Sequence, residues 1–91
     1  MENTILVSYD LMTPGKDYTN LIAFLRTFCF WAKPLESVWL IKTPSTAEQI
    51  RNAVQNHIDK NDELLVVDVT KKPAAWFNLG DKVSSWIKSY L

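Results

Sequence analysis

The stretch ELLVVDV at residues 63–69 is apolar at nearly every position, and TILV at residues 4–7 behaves in the same way. Side chains of a strand point alternately to its two faces, so a strand that is greasy on both faces must be covered on both. That requirement constrains this chain more than any other feature. With 91 residues it has the length of one domain. A domain of this size buries roughly 60–65% of its unfolded surface, so cover is scarce. The residues that shield the second face of the sheet therefore decide how the molecule is built and whether it associates.

The remaining elements follow from periodicity. Residues 4–10 read as a strand with Ile5, Val7 and Tyr9 on one face and Leu6, Ser8 and Asp10 on the other. After a loop, Asp17 is placed to cap a helix over 18–29, with Leu21, Ile22, Leu25, Phe28 and Cys29 on its buried side. Residues 31–35 form a short strand that Pro34 marks as an edge. A second strand covers 37–43. Ser45-Thr46-Ala47-Glu48 matches a capping box and opens a helix over 46–59, with Ala47, Ile50, Val54 and Ile58 facing inward. The 63–69 strand follows. In the tail, Lys71-Lys72-Pro73 breaks the strand and Ala74-Ala75-Trp76-Phe77 reads as a short extra strand. Asp81 caps a last helix that carries Val83, Trp86, Ile87, Tyr90 and Leu91 on one face. The order βαββαβ predicts a single α+β domain over residues 1–91: a ferredoxin-like sandwich with a C-terminal extra strand and helix. Its two helices cover one face of the sheet. The C-terminal helix or a second copy of the chain must cover the other.

Composition narrows the function classes. Ten Lys and Arg balance ten Asp and Glu, which argues against a general nucleic-acid binder while leaving a local basic patch open. A lone Cys29 permits no internal disulfide and no cysteine zinc site; its plain reading is a small core residue. The opening Met1-Glu2-Asn3 lacks the basic and apolar regions of a secretory leader, and no apolar run is long enough to span a bilayer. The expected location is the cytoplasm, without membrane partners.

Three segments carry a resemblance. The strand ending VSYDL, the LESVWLIKT strand running into STAEQI, and NDELLVVDV together resemble the small CRISPR-associated Cas-two proteins and their VapD-like ribonuclease relatives. The group of small proteins labelled SinR-like is the most similar, because SYDL..PGKDY, LES.W..KT and NDELLVV fall in one register across residues 4–91. The resemblance implies a homodimer with facing sheets. It implies that Ala74, Ala75, Trp76 and Phe77 join the partner's sheet. It also implies that Asp10 is the catalytic carboxylate, the two copies together holding Mg²⁺ for endonuclease cleavage of RNA or DNA. Tyr9 and Ser37 are weaker candidates beside it.

The chain departs from that family pattern. Its only arginines are Arg26 and Arg51, and Leu40 stands where the family strand carries an acidic residue. These losses weaken backbone binding to DNA. They keep open an alternative: a non-catalytic dimeric interaction module or accessory factor with a protein partner. Asp10 has a second reading as well, accepting N–H groups of its own turn. Ser8 and Ser37 read equally as strand hydroxyls. His57 reads as a surface residue favouring the helix dipole. Lys71 and Lys72 read as solvated charges. Tyr9 and the tryptophans Trp31, Trp39, Trp76 and Trp86 could stack on bases, but their periodicity suits core or dimer packing.

Overall fold

The computed structural model describes residues 2–12 and 18–91. Its elements are β1 (Asn3–Asp10), α1 (Thr19–Leu25), β2 (Trp31–Leu35), β3 (Val38–Thr43), α2 (Ala47–Gln55), β4 (Glu63–Asp68) and α3 (Asp81–Tyr90). The four strands form one antiparallel sheet in the order β2-β3-β1-β4. The chain is thus an α+β protein, with β1 and β3 central and β2 and β4 at the edges. Among the described residues no helix is long and apolar enough to cross a membrane.

One face of the sheet is a dry core. Ile5, Val7 and Tyr9 of β1 and Trp39 and Ile41 of β3 pack against Leu21 and Leu25 of α1 and Ile50 and Val54 of α2. Burying each large apolar side chain contributes about 1.5–3 kcal/mol. The one polar group of the Trp39 ring is satisfied inside: its Nε1–H donates to the Tyr9 hydroxyl at 3.0 Å.

Both helices on that face differ slightly from the sequence reading. α1 stops at Leu25 rather than 29, because the next turn tightens. The Arg26 N–H reaches the Ile22 carbonyl, but the Thr27 N–H and hydroxyl both turn onto the Phe24 carbonyl. The Thr27-Phe28-Cys29-Phe30 run that follows has weak helix propensity. The helical period therefore ends before Cys29, which is exposed and not a core residue. The expected Asp17 cap lies outside the described residues. In α2 the capping box is present but shifted by one residue. Thr46, not Ser45, is the N-cap: its hydroxyl accepts the Gln49 N–H, and the Gln49 side chain accepts the Thr46 N–H. The Ser45 N–H is already given to the Thr43 hydroxyl, and its carbonyl accepts from Asn3.

The other face is covered by α3. Thr4 and Lys42 are register partners on that face. The Thr4 hydroxyl and the Lys42 Nζ both donate to the Tyr90 carbonyl, at 3.2 and 2.9 Å, which fixes the C-terminal end of the helix. Ile87 is buried beneath it, as its helical spacing predicts. Gly80, with φ of 83°, takes the N-cap position assigned to Asp81, and Asp81 sits in the first turn. The cover is partial. Leu35, Leu65 and Val67 remain 57%, 60% and 38% exposed. Residues 74–77, all described, form no strand. They run between two left-handed residues, Lys71 and Asn78. The indole N–H of Trp76 donates to the Ser84 hydroxyl on α3, whereas Phe77 is 91% exposed.

Candidate functional site

Asp10 is the last residue of β1, and the pleat turns it to the α3 side of the sheet with Leu6 and Ser8. Its register partner on β4 is Glu63, and the next pair on the same face is Ser8 with Leu65. The two carboxylates therefore share one end of one face, at a shallow hollow of about 210 Å³ lined by Ser8, Tyr9, Asp10, Glu63, Leu64 and Leu65. Like charges directly opposite on neighbouring strands destabilise the pair. Fold stability alone gives no reason for this arrangement. Glu63 was missed in the sequence because only strand register places it beside Asp10.

Asp10 accepts no backbone N–H among the described residues. Among the described residues its carboxylate has no hydrogen-bond partner. The Met12 N–H, which a turn closed by Asp10 would use, goes instead to Asp62 Oδ1 at 2.8 Å. Asp62 is the organising carboxylate of this end of the molecule. It also accepts the Tyr18 hydroxyl at 2.9 and 3.0 Å and the Asp59 N–H at 2.7 Å. Nothing local in the sequence marks Asp62 for this role, since its Met12 and Tyr18 partners lie 50 and 44 residues away.

The other named residues separate. Tyr9 points to the opposite face, buried against Trp39, so its hydroxyl does not meet Asp10. Ser37 lies in the β2–β3 turn, where its carbonyl accepts the Tyr9 N–H at 3.1 Å. His57 is half-buried and stacks on Phe24 at 4.9 Å on the helix side, with the sheet between it and Asp10. Arg26 lies over the Trp31 ring, and Arg51 pairs with Glu48 and Asn52 on α2. Further along, the Thr70 N–H and hydroxyl both donate to Asp68 just past the end of β4, and these bonds hold its carboxyl below the usual range.

Asp10 and Glu63 supply hard, solvent-facing oxygen donors of the kind Mg²⁺ prefers, and Mg²⁺ commonly keeps several waters. The donor chemistry fits. Among the described residues, however, no group of three or more His, Cys, Asp or Glu gathers to hold a metal, so one chain brings at most a pair. Compared with protein-family models, with curated proteins and with solved structures, the chain matches none.

Proposed function

We propose that this chain is a ferredoxin-like protein of the Cas-two and SinR-like kind, that it works as a cytoplasmic homodimer, and that Asp10 with Glu63 forms a divalent-metal site for endonuclease cleavage of RNA or DNA. The single observation that carries this reading is the Asp10 carboxylate. It stands at a rigid strand end, without a hydrogen-bond partner among the described residues, opposite a second carboxylate in register. The strand order, with α1 and α2 on one face, supports the ferredoxin-like assignment. The exposed Leu35, Leu65 and Val67 on the Asp10 face support the dimer, which would bring two such pairs together. A bound Mg²⁺ would supply a nucleophile from its water and neutralise charge on the phosphate. Asp10 and Glu63 would hold it, while Ser8 lines the same hollow.

A second reading, a dimeric interaction module without catalysis, is favoured by the position of the two arginines. Arg26 is engaged with Trp31, and Arg51 sits on α2 beside Glu48; neither stands at the Asp10 face. One experiment separates the readings. RNA and duplex DNA are incubated with the protein in Mg²⁺ or EDTA, beside Asp10→Asn and Glu63→Gln, with the association state followed by sedimentation. The nuclease reading expects Mg²⁺-dependent cleavage lost in both variants and an unchanged dimer. A dimer with no cleavage on either substrate selects the interaction module. A monomer at micromolar concentration defeats both.

A further inference from the structure

The tail between β4 and α3 borders, with the less closed face of the sheet, a second hollow of about 310 Å³. Its floor belongs to one face by register. Leu6 pairs with Leu40, and Ser8, on the same side of β1, pairs with Val38, which in turn faces Leu35 of β2. At the other edge Val67 pairs with Leu6, and Val69 continues that side just past β4. The floor therefore crosses the sheet from β2 to the end of β4, roughly 14 Å at the usual spacing of strands. The tail supplies Pro73, Ala74, Ala75 and Trp76 to the lining, and α3 supplies Ile87. The Trp76 ring is fixed by its N–H on the Ser84 hydroxyl at 2.9 Å. Ala74 and Ala75 carry only methyl groups, too short to fill the space between tail and sheet.

Every residue of the lining is apolar except Lys72, and no carboxylate contributes to it. Lys72 stands at the β4 end, where its backbone N–H donates to the Val69 carbonyl at 3.1 Å. Its side chain is exposed and makes no ion pair among the described residues. Asp68 lies within its electrostatic reach, but that carboxylate already accepts the Thr70 N–H and hydroxyl. Apolar hollows stay dry and take up apolar molecules, and the volume is in the range of a small-ligand pocket. A floor drawn out across the strands suits a linear chain, and a lone cation at one end suits an anionic head. We propose that this hollow binds a medium-chain aliphatic carboxylate: the alkyl chain lies on Leu6, Val38 and Leu40 against Ala75 and Trp76, and the carboxylate accepts from the Lys72 amine. Neither Asp10 nor Glu63 lines it. Of the exposed residues that suit self-association, Leu35 borders the hollow whereas Leu65 and Val67 lie outside it, so ligand and second copy use different parts of the face.

The test is titration calorimetry of the full-length protein with hexanoate, octanoate and decanoate, each kept below its micelle concentration. Binding at one site per chain is expected, tightening about four-fold for each added methylene. Lys72→Gln should weaken decanoate about three-fold, the worth of an exposed ion pair. Lys88→Gln, an exposed lysine outside the lining, should bind as the parent does. Ala75→Leu should abolish binding by filling the hollow. Circular dichroism checks that each variant is folded, and the chain-length series with the two lysine substitutions decides the matter if Ala75→Leu unfolds. Absence of decanoate binding overturns the proposal, as does affinity independent of chain length, equal loss at the two lysines, or parent-like binding by folded Ala75→Leu. Decanoate affinity that falls as protein concentration rises would give the hollow to a second copy and overturn it as well.

Discussion

Both faces of the sheet carry apolar side chains in sequence, but the structure does not close them equally. On one, α1 and α2 bring Leu21, Leu25, Ile50 and Val54 onto Ile5, Val7, Trp39 and Ile41, and none of these is more than 3% exposed. On the other lies a single helix, packed chiefly on β2. It buries Ile87 but leaves Leu65 and Val67 of β4 open. The first face is held by packing; the second buries Ala32, Leu40 and Ile87 and adds polar fastenings, chiefly Lys42 and Thr4 on the Tyr90 carbonyl. The difference teaches that apolar content along a strand specifies the need for a cover, not which element provides it. It also separates the jobs of the two faces: one maintains the fold, and the other carries the exposed carboxylates and the open strip.

Four substitutions test that contrast. Trp39→Ala should have the largest effect, a loss of about 3–5 kcal/mol in denaturant unfolding, because it empties the closed face and orphans the Tyr9 hydroxyl. Ile87→Ala should cost about 2 kcal/mol, the low end for a buried isoleucine, since α3 can settle toward the sheet. Equal losses at the two positions would erase the distinction between the faces. Lys42→Met should cost about 1.5 kcal/mol, the worth of a charge-assisted hydrogen bond. Its sharper readout is hydrogen exchange: amides of α3 should lose protection while those of α2 keep theirs. Uniform loss would show that the two layers unfold as one. Leu65→Thr should change monomer stability by no more than about 0.5 kcal/mol, as exposed substitutions do. Sedimentation should show weakened self-association in the same variant. A large stability loss would mean that the strip is closed within one chain.

Much of this architecture was legible in the sequence, because it rests on local signals. The strand at residues 31–35 was found at its observed limits, and the four strands and three helices all occur in the expected order. The capping box of α2 is visible as a motif, although which hydroxyl uses it depends on Ser45 being engaged with Thr43. α1 was drawn too long because Phe28 and Cys29 continue the apolar period while the backbone has already turned at Thr27. The candidate site was legible only in half. Asp10 stands out at a strand end, but Glu63 becomes its neighbour through a register between strands more than fifty residues apart, and nothing local records that. The same is true of Asp62, whose contacts with Met12 and Tyr18 are long-range. Residues 74–77 form no strand within one chain, and the pairing that the resemblance implies for them is with the sheet of a second copy.

Asp62 has a practical consequence for anyone wishing to alter this molecule. One carboxylate grips Met12 on one side and Tyr18 on the other, so the chain enters and leaves the connection between them at fixed points. Because the same carboxylate also takes the Asp59 N–H, a single replacement at position 62 would release three parts of the chain together: the exit of β1, the entry to α1 and the approach to β4.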